Sequence, residues 1–233
     1  MIGKKVIKFE EIESTNKFIK MNHSNMEDGT VVVGESQNNG RGRSNHIWVS
    51  EVGNLYMSYL LKDGLTFKSI FNELMNVSVS ITRLLKKHYL NPEIKYPNDI
   101  LIKGKKIAGI LIETKGGSSL EYIIVGIGLN INQVDFGELN VKATSLKSHK
   151  GFEFKIDIIM DELLIELNEK KDNLFDEYIA NSMIINKEID YDGKRYNVSG
   201  ISKSGSLILS NGTEELLVGL NEISLEEIYR GDL

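Results

Sequence analysis

The chain of 233 residues contains no cysteine. This absence excludes disulfide bonds, zinc or iron–sulfur sites built on thiolates, and catalysis by a thiol nucleophile. Proline is scarce as well, with two residues, and the four histidines lack the close spacing that a histidine metal site needs. The sequence therefore gives no sign of a metal site built on cysteine or histidine.

Long apolar runs are also missing. No stretch reaches the roughly 18 uncharged residues that a membrane helix needs, and the first ten residues contain no apolar segment of the kind found in a signal peptide. With 28 basic and 33 acidic residues the net charge is −5, which argues against bulk binding of nucleic acid. We therefore expect a cytoplasmic protein that has no membrane partner.

Apolar, β-branched segments bounded by glycine, asparagine or charged residues predict strands between helices. The predicted strands are 31–33, 55–61, 100–102, 107–112 and 122–131. Apolar residues at helical spacing predict a helix from Phe67 that ends before Pro92 and another from about Ile158 to Tyr178. A short helix is predicted to begin near Ser14, whose hydroxyl can cap it.

The character of the sequence changes after about residue 185. Turn signals such as Ser204-Gly205 and Asn211-Gly212 alternate with short apolar segments, a spacing that predicts a small antiparallel barrel. So short a segment rarely holds a fold alone. We therefore expect residues 186–233 to form a second domain that packs on a main domain of residues 1–185.

Residues 37–48 (QNNGRGRSNHIW) contain one apolar side chain before the only tryptophan, Trp48. Arg41 and Arg43 alternate with Gly40 and Gly42, so exposed amides and two fixed positive charges could surround an anionic ligand. An ordinary solvated loop accounts for these residues equally well. The Gly-Lys-Ser/Thr ending of a P-loop does not follow, so that nucleotide-binding motif is not indicated.

Three further segments could carry chemistry. Asn98 and Asp99 stand just before a strand, where they could orient a ligand or help to hold Mg²⁺, or simply form a turn. Lys106 enters a strand in which Gly109 would let a ligand lie against the backbone, although lysines at a hairpin tip are commonly solvated. The glycines of Gly126–Asn130 weaken a strand unless a close approach requires them.

Taken in this order, the segments resemble the biotin–protein ligases over nearly the whole chain. The matching segments are 14–16, 40–43 with Trp48, 54–56, 95–99, 106–111, 126–130 and the C-terminal part. The resemblance implies an α+β fold, with a mixed sheet flanked by helices and followed by an SH3-like barrel. It also implies an AMP-forming ligase that activates biotin with ATP and transfers the biotinyl group to a lysine of a biotin carboxyl carrier domain.

The resemblance also implies roles for individual residues. The implied catalytic residues are Lys106, Arg43 and Asp99. The implied biotin-binding residues are Ser14, Thr15, Asn16, Gln37, Gly40, Arg41, Gly42, Arg43, Trp48, Lys106 and Gly109. The implied ATP-binding residues are Arg41, Arg43, Asn98, Asp99, Lys106 and Asn130. Mg²⁺ is expected to accompany ATP, with Asp99 as a contact through the phosphates and no firm metal site in the protein.

Several alternatives stay open at this point. Some relatives carry an N-terminal helix-turn-helix domain, but only 13 residues precede Ser14, so we expect a short form that does not bind DNA. Tyr96 stands where the family usually has tryptophan.

A lipoate or octanoate ligase is the nearest rival, although the polar Thr15 and Gln37 suit a ureido ring better than a dithiolane. A non-catalytic carrier-binding module is another rival, and a homodimer is possible.

Overall fold

The computed structural model describes residues 1–43, 46–219, 222 and 229. The strands of its main sheet are β1 (Val6–Ile12), β2 (Val31–Gln37), β3 (Leu55–Leu61), β4 (Pro92–Lys95), β5 (Asp99–Ile102), β6 (Lys105–Gly116) and β7 (Leu120–Leu129). They lie in the order β1-β2-β3-β7-β6-β5-β4, with β1 parallel to β2 and the other neighbours antiparallel. The predicted mixed sheet is confirmed, but its two edge strands, β1 and β4, were not predicted.

Five α-helices accompany the sheets in the described part of the chain. They are α1 (Thr15–Asn22), α2 (Phe67–Lys87), α3 (Leu146–Lys150), α4 (Ile156–Asn168) and α5 (Leu174–Asn181). Ser14 caps α1 as predicted, because its hydroxyl oxygen accepts a hydrogen bond from the Lys17 backbone N–H at 3.4 Å. None of the helices within the described residues is long and apolar enough to cross a membrane.

The prediction of one helix from Ile158 to Tyr178 is wrong, because α4 and α5 are separate helices. The break falls in the polar residues between them. There the Lys171 ammonium donates hydrogen bonds to the backbone carbonyls of Glu166, at 2.5 Å, and Glu169, at 3.2 Å. A side chain therefore satisfies carbonyls that the end of α4 would otherwise leave without partners.

The two faces of the main sheet are covered differently. On one face, the larger core packs against α2, α4 and α5. Successive residues of a strand point to opposite faces, so Val31 lies in this core and Val32 in the cluster on the other face. Helix α1 packs on the second face, over β2, β3 and β7. The buried cluster there is small, with Ile19, Met26, Val32, Leu60, Tyr122 and Ile124. The candidate site lies on this second face, beside the N-terminus of α1.

The C-terminal part forms a four-stranded antiparallel sheet. Its strands are β8 (Glu188–Tyr191), β9 (Lys194–Ile201), β10 (Leu207–Ser210) and β11 (Glu215–Val218), in the order β11-β10-β9-β8. Ile189, Val198 and Leu209 join the larger core, and the Tyr96 hydroxyl donates a hydrogen bond to the Gly205 carbonyl. The fold class is confirmed. The domain boundary at 185/186 stays a prediction, and residues 220–221, 223–228 and 230–233 of the second domain lie outside the described residues.

Candidate active site

The floor of the site is backbone without side chains. Gly109 on β6 is paired with Gly128 on β7, and the neighbouring Gly126 is paired with Ser58 on β3. The Trp48 indole lies against this floor, because a Cβ atom on Gly128 would be 2.5 Å from Trp48 Cε2 and one on Gly109 would be 2.7 Å from Trp48 Cζ3. Of the two interpretations left open for these strand glycines, the structure shows the close approach, and a side chain of this protein makes it.

A cavity of about 50 Å³ opens above the floor. It is lined by Ser14, Thr15, Asn16, Gln37, Arg41, Gly42, Arg43, Trp48, Asn98, Lys106 and Gly109, all named from the sequence, and by Gly126, Gly128 and neighbouring residues of β6 and β7. Gly40 is not in this lining. A Cβ atom there would lie 2.4 Å from the Trp48 carbonyl oxygen, so Gly40 allows the chain to turn tightly behind the cavity.

The arginine-bearing segment folds back over the cavity. The Trp48 backbone N–H donates to the Gly40 carbonyl at 3.0 Å, and the Gly42 backbone N–H donates to the His46 carbonyl at 2.7 Å. Arg43 Nη1 donates to Asn98 Oδ1 at 3.0 Å, which ties the segment to the residue just before β5. The structure thus brings Arg43 and Asn98 together, while residues 44 and 45 lie outside the described residues.

The Lys106 ammonium lies between the Asp99 carboxylate and the Trp48 ring. Its Nζ is 2.8 Å from Asp99 Oδ1 and 4.9 Å from the centroid of a Trp48 ring. The side chain of Lys106 is 33% exposed and that of Asp99 is 22% exposed. Because both charges are partly withdrawn from water, the field of the ammonium is screened less than that of a surface lysine. Lys106 therefore offers an anion a fixed positive charge.

A second cavity, of about 250 Å³, begins on the other side of Lys106 and Trp48. Its other lining residues are Ile47, Val49, Asn130, Gln133, Phe136, Leu139, Lys142 and Ala143. The Asn130 amide donates to the backbone carbonyls of Thr144, at 3.0 Å, and Lys106, at 3.4 Å. Asn130 thus joins the end of β7 to the strand that carries Lys106. The sequence placed Asn130 in the site but gave no sign of a separate apolar cavity.

Several lysine ammonium groups lie close enough to Lys95 to affect its charge, and Lys106 is one of them. Burial lowers the pKa of Lys95, and the charges of Lys106 and Lys142 lower it further, against the opposing effect of Asp99. Lys95 Nζ lies 4.7 Å from the centroid of the Tyr229 ring. An anion bound here would relieve the repulsion among these ammonium groups, so this end of the site is suited to phosphate.

Hydrogen bonds organise the wall beside α1. The Thr15 backbone N–H donates to Gln37 Oε1 at 2.9 Å, and Gln37 Nε2 donates to Ser50 Oγ at 3.0 Å. On the inner side, Ser58 is fully buried and lies 2.6 Å from Thr15 Oγ1. The sequence analysis missed Ser50 and Ser58. The signal for Ser58 was its position as the one small polar residue in LYMSYLL, an otherwise apolar strand with two tyrosines.

Comparison with known proteins identifies the family of this chain. The family model described as "Biotin/lipoate A/B protein ligase family" matches residues 8–130, just over half of the chain. The chain belongs to this family. The family resemblance seen in the sequence is therefore confirmed, and the matched residues run from β1 to the end of β7, which includes the whole glycine floor.

The chain is also similar in sequence to individual members of the family, as two relatives show. It is 35% identical over 158 residues to the bifunctional ligase/repressor BirA of Bacillus spizizenii, a match that covers 65% of this chain and 49% of the relative. It is 32% identical over 139 residues to chloroplastic biotin–protein ligase 1 of Arabidopsis thaliana, covering 56% of this chain and 37% of the relative. The chain thus spans about half the length of the Bacillus relative.

Solved structures show how much of the fold this family member shares. Biotin protein ligase from Aquifex aeolicus, in complex with biotin and ATP, aligns with a TM-score of 0.78 at 24% identity, covering 95% of this chain and 98% of that one. Biotin acetyl coenzyme A carboxylase synthetase from Helicobacter pylori, with bound biotinylated ATP, aligns with a TM-score of 0.65 at 18% identity, covering 91% and 99%. The shared fold extends over the C-terminal sheet as well as the main one.

Proposed function

We propose that this protein is an AMP-forming biotin–protein ligase. In the first step the biotin carboxylate attacks the α-phosphorus of ATP, forming an acyl–phosphate bond as the bond to pyrophosphate breaks. In the second step the neutral amine of a carrier lysine attacks the acyl carbon, an amide forms, and AMP leaves as a proton is released. The observation that carries this proposal is the position of Lys106, at the junction of a polar cavity and an apolar one.

The first step brings two anions together. At about 4 Å, two unit charges of like sign repel by about 1 kcal/mol in water and about 4 kcal/mol at an effective dielectric constant of about 20. Lys106 is placed to offset this repulsion, and Arg41 and Arg43 on the folded-back segment add positive charge to the same cavity. Lys106 would contact the biotin carboxylate first and the adenylate phosphate afterwards.

The smaller cavity suits biotin. Thr15, Asn16 and Gln37 supply hydroxyl and amide groups for a ureido ring, which has one carbonyl acceptor and two N–H donors. The glycine floor and Trp48 supply apolar surface for the rest of the molecule. Ligand pockets usually have volumes of about 300–1,000 Å³, so we expect the Trp48 indole to move off Gly109 and Gly128 when biotin enters.

The larger cavity suits the base of ATP. Ile47, Phe136 and Leu139 give it apolar walls, and its edge at Lys106 leads towards Lys95, where positive charge is concentrated. The triphosphate would lie along this edge, with Asn98 and Arg43 beside the α-phosphate. The base and the biotin would then be on opposite sides of Lys106.

The residues fit a Mg²⁺ ion that arrives with ATP rather than one that the protein holds by itself. No group of three or more histidine, aspartate or glutamate side chains suited to a metal occurs among the described residues. Asp99 would offer one carboxylate, and Mg²⁺ is commonly held by one or two carboxylates together with substrate phosphates. When bound, the ion neutralises phosphate charge.

ATP–pyrophosphate exchange with three acids tests the proposed function. We expect exchange with biotin and none with lipoate or octanoate, because the polar wall matches a ureido ring. Transfer is then followed with a purified biotin carboxyl carrier domain, by mass spectrometry of its lysine. Exchange with lipoate or octanoate instead would support the rival ligase, and exchange with none of the three acids would support a non-catalytic module.

Replacing Arg43 by alanine tests the role of the folded-back segment. We expect biotinyl-AMP to dissociate about tenfold faster, because a charge-assisted contact with the phosphate is lost. The melting temperature without ligand should fall by only a few degrees, since the guanidinium makes one partly buried hydrogen bond, to Asn98, and a single hydrogen bond contributes modestly to net stability. Stopped-flow release of the adenylate and thermal unfolding measure the two quantities.

Arg195→Ala is the matched control, because Arg195 pairs with Glu188 on the exposed side of the second sheet. This variant should retain the adenylate as the wild type does. The role assigned to Arg43 would be wrong if Arg43→Ala left adenylate release unchanged, or if it lowered the melting temperature of the ligand-free protein by many degrees.

A further inference from the structure

A line of hydrogen bonds runs from the protein surface to the biotin cavity. Glu113 Oε2 on β6 accepts from Asn16 Nδ2 at 2.8 Å, and Asn16 Oδ1 accepts from the Ser58 hydroxyl at 2.6 Å. Ser58 Oγ is in turn 2.6 Å from Thr15 Oγ1. Thr15 and Asn16 are each 4% exposed and line the cavity, whereas Ser58 and Glu113 are outside its lining.

The glycine floor makes room for this line. A Cβ atom on Gly126 would be 2.3 Å from Asn16 Oδ1, so the amide of Asn16 lies directly on the backbone of β7. Ser58 is paired with the same glycine across the sheet. The amide is therefore held between fixed neighbours, and the orientation that it takes is passed on to Ser58.

The Glu113 carboxylate, at the surface end of the line, determines which group donates and which accepts in every hydrogen bond along it. An ionised carboxylate can only accept hydrogen bonds, so Asn16 must turn its NH₂ group to Glu113 and its carbonyl oxygen to Ser58. The Ser58 hydroxyl has one proton, which that carbonyl oxygen takes. In the contact between Ser58 and Thr15, the proton must therefore come from Thr15.

The Thr15 hydroxyl is thus committed as a donor towards the protein interior. Its 3.2 Å contact with Gln37 Oε1 then receives no proton from it, and that oxygen is satisfied by the Thr15 backbone N–H at 2.9 Å. What Thr15 Oγ1 offers to the cavity is a lone pair. A ligand N–H placed there forms a hydrogen bond, whereas a ligand carbonyl or ether oxygen meets like charge.

We propose that Glu113 and Ser58 are positioning residues that fix Thr15 Oγ1 as an acceptor and so make the cavity select a ligand N–H. This inference rests on the proposed function, in which the ligand is biotin and the N–H belongs to its ureido ring. Neither residue contacts the ligand. Glu113 acts from the surface, where its side chain is 28% exposed and Lys20 Nζ lies 3.4 Å away.

Glu113→Gln is the direct test, because glutamine has nearly the same size but can donate as well as accept. In that variant the Asn16 amide can turn round, Ser58 can donate to Thr15, and the Thr15 hydroxyl is free to point at the ligand. We expect the dissociation constant of biotin, measured by calorimetry, to rise about tenfold. The melting temperature should stay near that of the wild type, since the residue is partly exposed.

A second ligand distinguishes a changed hydrogen-bond direction at Thr15 from general damage to the cavity. The probe is a biotin analogue in which a ring oxygen replaces one ureido N–H, made in both positional forms. The wild type should bind one of these forms much more weakly than biotin, and Glu113→Gln should reduce that discrimination several-fold. A variant that merely loosened the cavity would weaken both ligands alike and leave the ratio unchanged.

Two further variants complete the design. Lys20→Met removes the ammonium beside Glu113 but keeps the carboxylate, so biotin affinity and the ratio should match the wild type. Ser58→Ala breaks the line in the middle and should reduce discrimination as Glu113→Gln does. Because both changes interrupt one line, the double variant should lose little more than the worse single variant.

The outcomes distinguish this inference from the proposed function. If the wild type binds no biotin, the proposed function fails and the inference fails with it. If the wild type binds biotin and Glu113→Gln keeps the wild-type ratio between biotin and both analogues, only the inference is overturned. An equal change of the ratio in Lys20→Met would also overturn it, since charge at the surface would then be the cause.

Discussion

Replacing Lys106 by alanine is expected to slow formation of biotinyl-AMP by about 100-fold or more, the usual effect of removing one preorganised group that stabilises charge in a transition state. Lys106 Nζ is held at the junction of the two cavities by Asp99, 2.8 Å away. Removing it takes away the positive charge between two reacting anions and leaves the Asp99 carboxylate unpaired beside them. Single-turnover formation of the adenylate at saturating biotin and ATP measures the effect.

Lys103→Ala is the matched control, because Lys103 is an exposed lysine three residues before Lys106, in the turn between β5 and β6, at a φ of 50°. It should retain the wild-type rate. A double variant, Lys106→Ala with Asp99→Asn, should recover part of the lost rate, since it also removes the unpaired negative charge. Wild-type rates in Lys106→Ala would remove this residue from the mechanism.

Replacing Gly205 by alanine is expected to destabilise the protein by about 2–4 kcal/mol, the sum of a left-handed backbone and a steric clash. Gly205 has a φ of +90°, and its Cβ would lie 2.7 Å from Cδ2 of Phe71, which is 5% exposed on α2. The carbonyl of Gly205 also accepts the Tyr96 hydroxyl, so the same residue joins the second sheet to the main one. Urea unfolding measures the loss.

Gly212→Ala separates the two contributions. Gly212 has a φ of +86°, and apart from its two chain neighbours no described residue has an atom within 4 Å of its Cβ position. It should therefore show only the backbone cost, about 1–2 kcal/mol. Equal losses in the two variants would mean that contact with Phe71 contributes nothing.

The sequence predicted the interior of the main sheet better than its edges. Strands such as Leu55–Leu61 are buried on both faces and read as nearly continuous apolar runs. The edge strands Val6–Ile12 and Pro92–Lys95 carry charged residues at alternate or nearly alternate positions, which resemble a surface loop. The division of α4 from α5 was equally hidden, because it depends on Lys171 reaching two carbonyls rather than on the apolar pattern.

The candidate site shows a similar contrast. Residues with local signals, such as Gly42, Arg43 and Lys106, could be named from the sequence, and the structure brings them together around one cavity. Ser58 and Glu113 could not be named, because neither lies in a motif. They are brought to Asn16 by the pairing of β3, β7 and β6, and Glu113 is 97 residues from Asn16 along the chain.

The indole on the glycine floor has a practical consequence. Because Trp48 is the only tryptophan of the chain, ultraviolet light absorbed near 295 nm excites this one ring, and the emitted photons come from one place in the molecule. The quenching ammonium of Lys106 is 4.9 Å from the ring. The intensity and the emission maximum of the intrinsic fluorescence therefore report on the surroundings of Trp48 in the site, and no added dye or label is needed.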